Sequence, residues 1–300
     1  MKPAAFDYVA PGTVDEAVAA LAGAGERASI LAGGQSLILE MHYRRARPDL
    51  VVDINGVRGL DRLRVDGGAL HVGALVRHEA FDAFDAFESP LVAPGPLGRL
   101  LSLVVVNIAH PPIRALGTMA GSLAWAHPAA EWCAVAVTLD ADVELRGPGG
   151  TRTVGAGDYF HGPHRTARLP QEMITAVRLP LLDDVTGVAF AEHRRTHASF
   201  AQLAAVVTLT VLDGVITEAR VGLANAADRP VRAHAAERSL VGSSPLDDDL
   251  FGRAGRIAAE HDADPVARPY ADVEYQRQVV TVLVGRALRQ AYADHGGARR

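Results

Sequence analysis

Residues 31–37 read Leu31-Ala32-Gly33-Gly34-Gln35-Ser36-Leu37, and they follow a short apolar run that is suited to a buried strand. A second glycine-containing loop, residues 118–122 (Thr-Met-Ala-Gly-Ser), precedes an apolar helical pattern. Glycines let a backbone approach an anion closely, and free N–H groups beside a helix start can bind it. Two such loops in one domain therefore predict a site for a diphosphate, although neither loop matches the dinucleotide fingerprint or the Walker A motif.

Around the first loop, residues 1–55 predict a small α/β lobe. Thr13 and Glu16 have the spacing of a capping box, and apolar residues then recur at helical spacing until Gly23. Ser36 is predicted to cap a second helix, and residues 50–54 form the next apolar strand pattern.

Residues 56–178 predict a second lobe. Residues 91–108 and 129–139 have helical, apolar patterns, residues 142–154 read as a hairpin, and residues 173–179 read as a strand. Beyond the lobe, three strand patterns (188–194, 203–212 and 215–223) precede three helical patterns (231–240, 247–260 and 270–292). Strands followed by helices predict a separate α+β domain over residues 179–300, a three-stranded sheet plus helices.

Composition excludes several classes of protein. The chain has 300 residues, of which 49% are hydrophobic and 22% charged, so disorder is excluded. A net charge of −5 argues against nucleic acid as a partner. No apolar run reaches the ~18 to 20 residues of a membrane span, and residues 1–7 do not resemble a signal peptide, so we expect a cytoplasmic protein.

Cysteine and histidine usage limits the chemistry further. Cys133 is the only cysteine, which excludes a disulfide framework and an iron–sulfur cluster, since a cluster needs about four thiolates. Any such cluster must lie on another polypeptide. Cys133 itself is predicted to be a buried, inert thiol. His161 and His164 are predicted to lie in a solvated loop, and we predict no metal site and no catalytic side chain in this chain.

Several segments together resemble one known family, the FAD-binding medium subunits of molybdenum hydroxylases of the carbon monoxide, xanthine and nicotine dehydrogenase type. The resemblance covers most of the chain and is carried by residues 6–11, 31–37, 46–48, 51–55, 72–78, 108–114, 117–123 and 127–131. It implies an α+β fold, in which a two-lobed FAD-binding domain of the vanillyl-alcohol-oxidase or p-cresol-methylhydroxylase type precedes the small C-terminal domain.

The resemblance also implies positions for the cofactor. The two glycine loops would bind the diphosphate and ribityl of FAD, Glu131 would place an acid near the cofactor, and Ile174 would pack against the isoalloxazine ring. The complete set implied to bind FAD is Leu31, Ala32, Gly33, Gly34, Gln35, Ser36, Leu37, Ile108, Gly117, Thr118, Ala120, Gly121, Ser122, Glu131 and Ile174.

The function implied is that of an electron-transfer subunit with non-covalent FAD. It would take electrons from [2Fe-2S] clusters on a small partner subunit and pass them to an external acceptor. The molybdenum cofactor would lie on a large partner subunit. The single cysteine agrees with this division, because this chain cannot hold a cluster itself.

The sequence departs from the family pattern near the flavin. Ala120 stands where a glycine is usual. If that position needs a positive φ or a direct approach of the backbone to the phosphate, its methyl group would cost ~1 kcal/mol or more. Trp125, His127 and Ser199 also differ from the usual residues. Two alternatives therefore stay open: a stand-alone FAD-dependent oxidase or dehydrogenase acting on a small molecule, or a binding or assembly module that has lost FAD.

Overall fold

The computed structural model describes residues 2–82, 95–196, 199–269 and 271–297. The first lobe is a parallel sheet in the order β1-β3-β2. The predicted capping box is confirmed, because the Thr13 hydroxyl accepts from the Glu16 N–H and the Glu16 carboxylate accepts from the Thr13 N–H. Ser36 precedes a helix as predicted, but its side chain makes no capping hydrogen bond. The elements are β1 (Asp7–Val9), α1 (Val14–Ala24), β2 (Ala28–Leu31), α2 (Leu37–His42) and β3 (Leu50–Asp53).

The second lobe is built on a five-stranded sheet in the order β4-β5-β10-β6-β7. Among the residues that the structure describes, the helices α3 to α6 lie between β5 and β6 in the chain. The start of the helix predicted from residue 91 lies outside the described residues. The elements are β4 (Leu63–Asp66), β5 (Ala69–Gly73), α3 (Gly95–Val105), α4 (Pro111–Arg114), α5 (Met119–Trp125), α6 (Glu131–Thr138), β6 (Asp142–Gly147), β7 (Gly150–Gly155), α7 (Ala156–Tyr159), β8 (Phe160–Gly162), β9 (Arg165–Thr166) and β10 (Met173–Pro180).

The C-terminal domain has a four-stranded antiparallel sheet, where three strands were predicted. The fourth strand has two residues and pairs with β13, so the helix predicted from residue 231 begins later, at His234. A π-helical turn (Ala258–Asp262) extends the second helix. The elements are β11 (Thr186–His193), β12 (Leu203–Leu212), β13 (Val215–Ala224), β14 (Val231–Arg232), α8 (His234–Leu240), α9 (Leu250–Ile257) and α10 (Val273–Gly297).

The C-terminal sheet lies between two hydrophobic cores. On β11, Val188 packs into the core of the FAD-binding lobes, while Ala189 and Ala191 pack into the core that includes α8, α9 and α10. Successive residues of a strand point to opposite faces, so the even-numbered residues of β11 face the two lobes.

The predicted boundary between the domains, at residue 178, falls inside β10. Because Pro180 pairs with Ala69 of β5, the strand belongs to the second lobe up to that residue. Across the part of the chain that the structure covers, no helix is long and apolar enough to cross a membrane.

Candidate functional site: a cleft between two glycine loops

The first loop, residues 32–36, connects β2 to α2 and lines a cleft. The backbone N–H groups of Gly33, Gly34, Gln35 and Ser36 donate to no acceptor among the residues described. The Gln35 side chain donates instead to the Gly33 carbonyl (3.0 Å), and Gly34 has a φ of +71°. A run of unsatisfied N–H groups in such a turn is a binding site for an anion.

The second loop leads into α5. The Thr118 hydroxyl accepts a hydrogen bond from the Gly121 N–H (2.9 Å) and thereby caps the helix. Ala120 lies in the first turn of α5 with a negative φ and is 4% exposed. A positive φ, one of the two conditions under which its methyl group would cost free energy, is therefore not met.

This geometry predicts the result of restoring the glycine. Ala120→Gly is expected to leave FAD affinity unchanged and to lower the free energy of unfolding by about 0.5 to 1 kcal/mol, because glycine disfavours a helix. Titration of the deflavinated protein with FAD, together with melting curves, measures both quantities. Tighter FAD binding in the variant would show that the Ala120 methyl group does obstruct the site.

The first loop touches Leu116 and Gly117, which directly precede the second loop and are counted with it from here on. A Cβ atom on Gly33 would lie 2.2 Å from the Leu116 carbonyl oxygen and 2.7 Å from Gly117 Cα. A Cβ atom on Gly117 would lie 2.7 Å from the His78 ring, whose backbone N–H donates to the Gly117 carbonyl (2.9 Å). Gly33 is therefore required for the contact of the first loop with residues 116 and 117, and Gly117 is required for the close approach of His78.

Four side chains link the loops across the two lobes, and we call them the inter-loop network: Tyr8, Asp53, Asn55 and Arg77. Arg77 donates through Nη1 to the Leu116 carbonyl (2.6 Å) and through Nη2 to Asn55 Oδ1 (2.7 Å). Asn55 Nδ2 donates in turn to the carbonyl of Ala32 (2.9 Å) and to Asp53 Oδ1 (2.6 Å). Arg77 thus connects the first loop to the second through two hydrogen bonds of one guanidinium group.

Asp53 anchors the network on the first lobe. Its carboxylate accepts from the Tyr8 hydroxyl (2.5 Å) and from the Asn55 backbone N–H (2.9 Å). Burial of Asp53 favours the neutral acid, but these hydrogen bonds and the nearby Arg77 charge outweigh burial, so the pKa of Asp53 is lowered. The carboxylate is therefore ionised at neutral pH. No local sequence pattern predicts this network, because its members are far apart in the chain.

The cleft has a volume of about 570 Å³, within the range of about 300 to 1,000 Å³ that is usual for ligand sites. Leu31 is the only residue of the set implied by the resemblance that does not line it. The residues of that set that do line it are Ala32, Gly33, Gly34, Gln35, Ser36, Leu37, Ile108, Gly117, Thr118, Ala120, Gly121, Ser122, Glu131 and Ile174.

Two buried ionisable groups line the cleft in neutral form. Burial, together with the charge of Glu192, raises the pKa of Glu131 to about 8. Burial lowers the pKa of His78 to about 4, with help from Arg114 and Arg77. His78 Nδ1 accepts from Trp132 Nε1 (3.0 Å), so the neutral ring carries its proton on Nε2.

Aromatic side chains form a wall near the cleft. Trp125, His164 and Phe200 line it, and His127 stacks on Phe200 with ring centroids 4.3 Å apart. His164 packs against Trp125 (4.4 Å between centroids), and its Nδ1 contacts the Trp125 carbonyl (2.9 Å). His164 lies in an exposed turn, as predicted, and its ring also packs on Trp125, which is half-buried. Trp132, in contrast, is buried in the core.

Other chemistry is limited. Cys133 is fully buried, and burial raises the pKa of its thiol, which agrees with the prediction of an inert group. Within residues 2–82, 95–196, 199–269 and 271–297, no cluster of three or more potential metal ligands is found.

The residues present fit FAD. Loop N–H groups without partners face the cleft and suit the negatively charged diphosphate. Apolar side chains such as Ile108 and Ile174 offer a surface for an aromatic ring system. The cleft thus combines an anion site with an apolar chamber.

Comparisons with known proteins agree with this geometry. Residues 4–182 match the family model described as the FAD binding domain in molybdopterin dehydrogenase, and residues 188–291 match the CO dehydrogenase flavoprotein C-terminal domain. The carbon monoxide dehydrogenase medium chain of Afipia carboxidovorans is 36% identical over 98% of this chain and 99% of its own. Caffeine dehydrogenase subunit beta of a Pseudomonas species is 36% identical over 83% of this chain and 82% of its own.

A solved structure shows the same fold. Carbon monoxide dehydrogenase from Hydrogenophaga pseudoflava, in a form lacking the Mo-pyranopterin moiety, contains a chain that superposes with a TM-score of 0.91 at 31% identity, covering 98% of this chain and 99% of that one. The predicted fold class and the resemblance are confirmed. This chain belongs to the family of FAD-binding medium subunits of molybdenum hydroxylases, and it is an oxidoreductase flavoprotein subunit.

Proposed function

We propose that this chain holds FAD non-covalently in the cleft and works with an iron–sulfur small subunit and a molybdenum-binding large subunit. Electrons would come from the [2Fe-2S] clusters of the small subunit and leave to an external acceptor. The observation that carries the proposal is the first glycine loop, whose N–H groups have no acceptor among the described residues and which lines one cleft together with the second loop. The cytoplasm stays the expected compartment.

The chain's own residues would bind and orient the cofactor. FAD, when bound, accepts and releases electrons singly or in pairs. The loop N–H groups would hold the diphosphate, and the inter-loop network would keep both loops in register around it. His78, with its proton on Nε2, offers one neutral hydrogen-bond donor at the cleft wall.

We expect all of the flavin to be released when the purified protein is precipitated with acid. Cys133 is buried and its thiol pKa is raised, so it is a poor nucleophile for a covalent link. The absorbance of the supernatant and the pellet measures release. Flavin that stays in the pellet of the wild type but not of His164→Ala would instead reveal a covalent bond at that cleft histidine.

The partners are tested by native purification and mass spectrometry of co-purifying chains. A small and a large chain in equal amount with this one support the proposal.

One observation favours the alternative of a stand-alone flavoenzyme, namely the aromatic wall of Trp125, His164 and Phe200, which suits a planar substrate. A flavoprotein that purifies alone and is reduced by a small organic molecule would support that alternative.

A further inference from the structure

Arg168 is the only arginine or lysine that lines the cleft among the described residues. It follows β9, it is half-buried, and it does not belong to the set that the resemblance implies to bind FAD. Glu131, the only acidic residue on the described part of the cleft wall, has its pKa raised to about 8 by burial. At neutral pH the wall therefore combines one permanent positive charge with a mostly neutral acid.

The connection between β9 and β10 holds one corner of the Arg168 guanidinium. Nη1 donates to the backbone carbonyls of Glu172 (2.7 Å), Leu169 (3.0 Å) and Pro170 (3.4 Å). Nε and Nη2 donate to no acceptor within the part of the chain that the structure covers, and neither of them is fully buried. Because the guanidinium is planar, anchoring it through Nη1 fixes the directions of the remaining N–H groups.

The charge of Arg168 has no counter-ion of its own. The ionisable groups that act on it are Tyr159 and Glu172, and no ion pair with either is formed. Burial raises the pKa of Tyr159 to about 12, so this hydroxyl is neutral. The Glu172 carboxylate already accepts from Arg152 through Nε (2.6 Å) and Nη2 (2.7 Å), so its charge is balanced. A partly desolvated cation without an ion pair is unfavourable, and an anion in the cleft would balance it.

We propose that Arg168 binds the phosphate charge of a nucleotide diphosphate in the cleft, as the cationic partner of the uncharged glycine loops. Where that nucleotide is FAD, the inference rests on the proposed function. The loop N–H groups carry only partial charges, whereas each phosphate of the ligand carries a full negative charge. Nε and Nη2, the two free nitrogens, form the fork with which an arginine binds two phosphate oxygens at once.

The first experiment titrates the protein freed of flavin with ADP and with adenosine, because these two probes differ by the diphosphate. Arg168→Gln keeps an amide donor for the carbonyls of the β9–β10 connection but removes the positive charge. We expect it to bind ADP about 10- to 100-fold more weakly than wild type, since charge-assisted hydrogen bonds are lost. Its affinity for adenosine should not change. An equal loss for both probes would place Arg168 on the nucleoside and overturn the proposal, as would a wild type that binds ADP no more tightly than adenosine.

Arg165→Gln is the matched control. Arg165 lies on β9, three residues before Arg168, but it is exposed and does not line the cleft. This variant removes the same charge from the surface, where salt screens it, so ADP affinity should stay within about twofold of wild type. An equal loss in Arg165→Gln and Arg168→Gln would mean that overall charge, and not a contact, attracts the diphosphate, and would overturn the proposal.

Arg168→Lys is the second variant, and it serves if circular dichroism shows that Arg168→Gln folds poorly. It keeps the positive charge but replaces the fork by one ammonium group. We expect its ADP affinity to lie below that of wild type, with adenosine affinity unchanged. ADP affinity equal to that of wild type would contradict binding through the fork.

The second experiment uses the flavin-loaded protein. FAD affinity should fall in Arg168→Gln by the same factor as ADP affinity, and by that factor for oxidised and for reduced flavin. The reduction potential of the bound flavin, measured against a reference dye, should therefore equal that of wild type. A shifted potential with unchanged ADP affinity would mean that Arg168 acts on the flavin ring, which overturns the proposal. A protein that binds ADP through Arg168 but binds no FAD would contradict the proposed function and leave the phosphate contact supported.

Discussion

The variant Gly33→Ala is expected to bind FAD at least about 100-fold more weakly than wild type, a loss of about 2.7 kcal/mol. The added Cβ would lie 2.2 Å from the Leu116 carbonyl oxygen and 2.7 Å from Gly117 Cα. Both neighbours are backbone atoms, which cannot rotate away as a flexible side chain can. The two loops must therefore separate, and the N–H groups of the first loop move out of position for the diphosphate.

Fluorescence titration of the deflavinated variant with FAD measures the affinity. Gly23→Ala is the matched control, because this glycine lies in α1 of the same lobe and no atom lies within 4 Å of its added Cβ. We expect Gly23→Ala to keep wild-type affinity and to gain about 0.5 to 1 kcal/mol in stability. Wild-type affinity and a wild-type melting curve in Gly33→Ala would show that the loops do not need to touch.

Local signals in the sequence were sufficient for much of the fold. The Thr13–Glu16 capping box forms as predicted, since it depends on residues three apart. The pair Asp213-Gly214 is a typical signal of a tight hairpin turn, and it forms that turn between β12 and β13 with positive φ at both residues. The two glycine loops are likewise recognisable in the sequence, and in the structure both of them line one cleft.

Other features depend on contacts that no local pattern encodes. The strand Val231–Arg232 has only two residues, too few for any periodicity, and it exists because β13 offers a free edge. His164 is exposed, as predicted, but the packing of its ring on Trp125, 39 residues away in the chain, has no local signal. Glu192 reads as an ordinary polar residue of a strand, and its burial appears only when the two domains are packed together.

Arg77, at the centre of the site, is another residue whose contacts no local sequence pattern encodes. In the sequence it is an arginine after a strand, followed by a histidine, with nothing to connect it to either glycine loop. In the structure its guanidinium reaches the second loop at Leu116 and, through Asn55, the first loop at Ala32. The guanidinium group is planar and its N–H groups point in fixed directions, so it can donate to two separate acceptors at once.

We therefore expect Arg77→Ala to weaken FAD binding by about 10- to 100-fold, because it removes two hydrogen bonds from a charged donor, each contributing about 1.5 kcal/mol or less at this partly exposed position. Arg77→Lys is the sharper test, since it keeps the charge but presents one ammonium group in place of the fork. If long-range attraction of the phosphate by the positive charge were the main effect, the lysine variant would bind FAD nearly as well as wild type. If the network positions the loops, Arg77→Lys should lose most of the affinity that Arg77→Ala loses.

A double-mutant cycle separates positioning from simple loss of a contact. Asn55→Ala breaks the connection to Ala32 while leaving Arg77 bonded to Leu116. Because both residues act through one chain of hydrogen bonds, Arg77→Ala together with Asn55→Ala should weaken FAD binding by less than the product of the two single effects. Independent, multiplicative losses would mean that each residue supports its own loop and that the network does not couple them. Titration of all four proteins with FAD at two salt concentrations completes the test, since a positioning effect persists at high salt whereas attraction by an exposed charge is screened.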